Sequence, residues 1–273
     1  RFNKKIFYIL DLILNNKDNK FYVEGDINNE KTEFDDNFIF NFLKIDNPNF
    51  KVKKIQFDSK NSFSFSINQK FKIENLKINS NINLIQLIFL NKLNLKSILP
   101  DMKKDIIFKD NKIQIKYDKD LLNVNGYGNI LLQNESDIVQ YNILKSNNDI
   151  NFDTTLNIKN NSFKFDFLNY QNQNNSDLEI KVNGQKQIRK NLLLKKMTIK
   201  EGKNIFETEN IYLTDNYKID DIEKMFFNYK DKENLQNSFS ILNNKKDYIL
   251  KGNVINLNKI VENLLKSKNK KNK

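Results

Sequence analysis

The 273-residue sequence contains no cysteine and no histidine. Without them there is no disulfide framework and no thiol nucleophile, and zinc sites, haem ligands and the usual nucleophile–base pairs cannot be assembled. Six scattered glycines make neither a phosphate-cradling loop nor a dinucleotide fingerprint. Arginine occurs only as Arg1 and Arg189, which removes the residue that reads bases and clamps phosphates in bidentate fashion. No apolar run reaches the ~18 residues needed to cross a bilayer as a helix. The stretch Ile6 to Leu14 is too short, carries Asp11 and lacks a small-residue cleavage site, so it reads as a strand and not as a signal peptide. These absences predict a protein that is not an enzyme and holds no cofactor or metal.

Tryptophan and alanine are also missing, and proline numbers two. In their place stand 22 Phe, 10 Tyr, and abundant Ile, Leu, Asn and Lys, which supply ample apolar mass for a core. A bias toward Asn, Lys, Ile and Phe is what an AT-rich genome imposes. Part of the formal charge of +12 therefore reflects drift and does not name a partner. The absence of Cys suits an oxidising compartment.

Most of the chain alternates with period two, the mark of a sheet with one apolar and one wet face. Phe63, Phe65 and Ile67 face away from Ser62, Ser64 and Ser66. Ile113, Ile115 and Tyr117 alternate with lysines and Gln114. Phe163, Phe165 and Phe167 alternate with Lys164 and Asp166, and Leu178, Ile180 and Val182 with Glu179 and Lys181. Met225, Phe227 and Tyr229 place Ile219 to Tyr229 in a strand.

Asn125-Gly126 and Asn183-Gly184 are hairpin signals, because both central residues of a type I′ turn need positive φ. Asn160-Asn161 and Asn243-Asn244 can serve likewise. Turn signals recur about every 8–12 residues, as in an antiparallel meander. Glycines inside Val23–Ile27 and Leu250–Val254 mark bulges or close approaches within strands.

Two segments carry apolar residues at helical spacing: Leu84 to Leu95, and Ile260 to Leu265 after a capping Asn256 or Asn258. Both are expected to be short helices that cover the apolar side of the sheet. The expected fold class is thus all-β, mainly antiparallel, with two short helices. One β-rich segment spans residues 1–265, with a possible subdivision near 80–100, and residues 266–273 form a Lys/Asn-rich linker. The Arg at the first position and this tail suggest a fragment of something longer.

Asp35-Asp36 and Asp220-Asp221 are the adjacent carboxylate pairs, but neighbours along a strand point to opposite faces and read as solvated turn residues. Lysines spread along the strands, with aromatics turned into one face, weigh against a nucleic-acid partner.

The run Leu250 to Val261 resembles a recurrent element of the AsmA-like family of bacterial envelope proteins, in its YhdP and TamB-type branch. There a strand ends in Gly, and a hydrophobic–Asp–hydrophobic step leads into a short helix. Gly252, Asn256, Leu257 and Ile260 stand at the corresponding positions, with Asn256 where the family has Asp. The strand succession from residue 100 onward is similar to the sheet preceding that element.

The resemblance implies a long, twisted, incompletely closed sheet whose inner face is an apolar groove. It also implies a periplasmic location, anchorage in the inner membrane through other parts of a longer chain, and phospholipid as partner, carried toward the outer membrane. The residues expected to line the groove are Phe63, Phe65, Ile67, Phe163, Phe165, Phe167, Leu178, Ile180 and Val182. Periodicity turns them inward without deciding whether protein or lipid fills the interior. The rival readings are a purely structural β-sandwich or scaffold module and, less favoured, a basic nucleic-acid-binding protein.

Overall fold

The computed structural model describes residues 8–17, 19–35, 50–173, 176–187, 190–245 and 247–256. It is nearly all antiparallel β. Two compact units divide the chain, the first made of residues 1–93, 104–132 and 138–152, the second of 94–103, 133–137 and 153–273.

The first unit carries β1 (Tyr8–Lys17), β2 (Lys20–Asp35), β3 (Phe50–Ile67), β4 (Ile73–Asn91), β5 (Asp105–Asp118), β6 (Leu121–Leu131), most of β7 (Asp137–Lys145) and the start of β8 (Asp149–Ile158). In the second unit, the rest of β8 leads into the two-residue strands β9 (Lys164–Phe165) and β10 (Tyr170–Gln171). These are followed by β11 (Leu178–Gln187), β12 (Leu192–Glu201), β13 (Asn204–Leu213), β14 (Ile219–Lys230), β15 (Gln236–Asn243) and β16 (Tyr248–Val254). Strands β1 to β8 and β11 to β16 form one fourteen-stranded sheet in chain order, while β9 and β10 pair only with each other. The end strands β1 and β16 have one neighbour each, so the sheet is open.

Register explains which residues share a face. In the first unit Gly25, Phe63, Ile78, Tyr117 and Leu122 lie in one cross-strand row, and Phe34, Ile55, Leu87, Phe108 and Ile130 in another. Phe34 stacks on Phe57 at 5.4 Å and Phe89 on Phe108 at 5.9 Å between ring centroids. Between those rows runs a buried polar band of Asn29, Ser59 and Ser80. Asn29 donates to the carbonyl of Phe57 and accepts from the Ser59 hydroxyl, so the band leaves no charge and few open hydrogen bonds in the interior.

Three expectations are corrected. Leu84 to Leu95 is not a helix: residues 84–91 end β4, between β3 and β5. Residues 85–90 are half-buried on both faces, so the apolar run lacks alternation and mimics a helical stripe. Asn125-Gly126 lies inside β6, where the ring of Tyr141 occupies the space a side chain at 126 would need. Asn183-Gly184 lies inside β11 at a register shift against β12, a bulge and not a turn. Asn243-Asn244 does open a turn, closed by the Asn244 N–H donating to the Asp247 carbonyl. The second expected helix falls on residues outside those described. None of the described helices is long and apolar enough to cross a membrane.

Candidate functional site

In the second unit the inward residues of successive strands form parallel rows. Ile180, Ile199, Phe206, Phe227 and Phe239 make one, and Val182, Met197, Thr208, Met225, Ile241 and Leu250 the next. Aromatic and aliphatic neighbours in such rows stabilise a sheet by roughly 0.2–1 kcal/mol per pair.

The first row is covered. The segment between β8 and β11 crosses it as β9, a single 3-10 turn (Asp166–Leu168) and β10. Phe165 meets Phe206 at 5.5 Å and Phe163 at 4.9 Å, while Tyr170 meets Phe206 at 4.6 Å and Tyr229 at 5.8 Å. The Tyr229 hydroxyl donates to the Leu168 carbonyl at 2.9 Å, and Lys164 N–H to that of Ile98. This cover is an irregular segment held by side chains.

Those side chains are polar and buried. Asn161, Asn172, Gln133 and Asp137 hydrogen-bond the backbone or one another, replacing the ladder bonds that the segment lacks. Burial pushes the Asp137 carboxyl up to about 6, against hydrogen bonds from Asn161 and the Lys159 N–H.

Glu201, also buried, accepts from Tyr170 hydroxyl and Gln173 N–H at 2.6 Å each, from Asn204 at 3.0 Å and from the Ser176 hydroxyl. Burial opposes its charge, but these four donors outweigh burial and hold it below the ordinary carboxylate range. Burial, followed by the Glu201 carboxylate, drives the Tyr170 phenol far upward, so it stays a donor.

Val182, Met197, Met225 and Ile241 are half-buried, Thr208 between Met197 and Met225 is buried, and Leu250 is 47 % exposed.

The structure places the expected lining residues unevenly. Phe63, Phe65 and Ile67 lie half-buried in β3 of the first unit, Phe63 stacked on Phe65 at 6.0 Å. Phe163, Phe165 and Phe167 are not one strand: Phe163 is buried, Phe165 half-buried in the cover, and Phe167 51 % exposed on the 3-10 turn. Leu178, Ile180 and Val182 alternate along β11 as expected, Leu178 buried and the other two half-buried.

Gly252 sits inside β16, and Asn256 follows that strand, its amide donating to Asp231 at 2.8 Å. Leu257 and Ile260 lie outside the described residues. Asp221 accepts from Asn243 at 2.6 Å and Tyr248 at 3.2 Å, and Asp220 accepts from Asn191, so the two form no joint site. The described residues include no group of three or more acidic, His or Cys side chains placed to hold a metal.

Sequence reasoning missed Phe206, Phe239 and Glu201. For Glu201 the signal was a carboxylate beside the turn glycine Gly202; for the two aromatics it was alternation in short strands. Searched against family models, curated proteins and solved structures, the chain has no match.

Proposed function

We propose that this chain is a non-catalytic β-module of the bacterial cell envelope that holds phospholipid acyl chains on the uncovered part of its apolar face. The observation that carries the reading is the row Val182, Met197, Met225, Ile241 and Leu250, half-buried except at buried Thr208, which lies beside the covered aromatic row and reaches solvent at Leu250. Apolar surface left partly open to water is costly, and lipid or partner sites take that form. Each methylene buried on it would contribute about 0.8 kcal/mol. Passing acyl chains along such a surface needs no nucleophile and no metal. A periplasmic place between the two membranes follows from the AsmA-like resemblance alone.

A photo-crosslinking residue at Val182, with Lys181 on the opposite face as control, tests this in cells. Mass spectrometry should find phospholipid adducts at 182 at least about tenfold above those at 181, the difference expected from burying only a few methylenes. Equal labelling, or none at 182 in folded protein, would instead mark a scaffold with a dry core.

A further inference from the structure

A cavity of about 740 Å³ opens in the second unit where the β12–β13 turn, the β14–β15 turn and the covering segment meet. Its lining residues are polar apart from Gly202 and include Lys203, Lys230 and Lys232. Counting donors and acceptors decides what it can hold. Its two carboxylates are spent. Glu201 receives four donors on its two oxygens. Asp231 accepts the N–H groups of Glu233 and Leu235 on one oxygen and the Asn256 amide on the other.

The donors are not spent. All three lysines are exposed and none of their ammonium groups has a carboxylate within ion-pair distance among the described residues, while the side-chain amides of Gln171, Gln173 and Asn234, each both donor and acceptor, make no internal hydrogen bond there. Glu233, on the same turn as Lys232, accepts from Asn169. At Gly202, with φ of +55°, the space beside the α-carbon is empty, which leaves that wall open. A smaller cavity of about 300 Å³ over β11 and β12 shows the contrast: its Lys181 and Lys196 pair with Glu179 and Glu207.

We infer that the rim cavity binds a phosphate-bearing anion through Lys203, Lys230 and Lys232. An anion of this class brings acceptors without donors and so matches three ammonium groups that have no carboxylate partner. The inference does not depend on the acyl-chain reading, because free phosphate and a lipid headgroup present the same chemistry.

Titrating inorganic phosphate into the full chain, followed by backbone amide NMR, tests it. Saturable shifts should concentrate at residues 201–204 and 230–238 and weaken as sodium chloride is raised. The variant K203Q/K230Q/K232Q should bind at least about tenfold more weakly, as loss of charge-assisted contacts implies, while K181Q/K196Q stays near wild type. Shifts that do not saturate, or an equal loss in the two variants, would overturn the assignment. A second titration with dihexanoyl phosphatidate below its micelle concentration identifies the source. Tighter binding than inorganic phosphate assigns a lipid headgroup, and equal binding assigns the free anion.

Discussion

Asp137 and Glu201 are both carboxyl groups taken out of water, and their surroundings drive them in opposite directions. Asp137 keeps one oxygen without a partner, and its pKa rises from 3.8 to about 6. Below pH 3.8 folded and unfolded chains both hold this proton, so its stabilising contribution is complete. Between 3.8 and 6 only the unfolded chain releases it, and stability falls as pH rises. Above 6 the loss is complete, at about 3 kcal/mol for a rise of this size. Glu201 has the reverse sign: its contribution is present above its ordinary value and disappears as pH falls through its lowered one. Replacing Asp137→Asn leaves Glu201 in place and isolates the first effect. Urea unfolding at pH 4 and pH 7 should show wild type losing stability relative to Asp137→Asn over that interval. Parallel losses in the two proteins would mean that the buried carboxyl is not the cause.

Within β6 the glycines answer to neighbouring strands and not to turns. A methyl group at Gly128 would lie 2.5 Å from the backbone α-carbon of Asn111, which cannot swing aside. Gly128→Ala should therefore lower stability by about 1–3 kcal/mol, read as a drop in denaturant midpoint. At Gly126 the obstacle is the outer end of the Tyr141 ring, which can move, so Gly126→Ala should cost less. This is why Asn125-Gly126 misled as a hairpin signal: the same residue type serves a tight turn and a close approach.

The actual turns use other residues. Lys119 and Asp120 both take positive φ between β5 and β6, and Tyr217, Asn234 and Lys245 do so in later turns. Gly202 is the single positive-φ glycine among the described residues, so glycine was a poor guide to turn positions. Strand alternation, by contrast, was legible wherever one face is wet, as at Leu178, Ile180 and Val182. It failed in β4, whose apolar residues fill both faces. It failed again at Phe163, Phe165 and Phe167, where Phe165 packs on Phe206 and the run is a two-residue strand followed by a 3-10 turn. Most of the polar knot around Asn161 and Gln133 left no local signal, since its partners are 24 to 32 residues apart in sequence.

At the scale of the molecule, each strand of the large sheet pairs with the strand before it and the strand after it, and with no other. Stability in such an array is close to a sum of nearest-neighbour terms, so opening should begin where a strand has only one neighbour. Amide hydrogen exchange should accordingly be fastest in β1 within the first unit and in β16 within the second. It should be slowest in β3 to β5 and in β12 to β14, and uniform protection within either unit would contradict the scheme. Both end strands also carry apolar side chains that reach solvent, with Leu14 65 % and Tyr248 57 % exposed. The serial order has a consequence for synthesis. As a ribosome delivers the chain, every new strand meets a partner already in place and waits for nothing downstream. The exception is the stretch from β8 to β11, where the covering segment must emerge before the sheet can resume. A translational pause would be most consequential there, since it would hold half-made sheet with β8 as a temporary open edge.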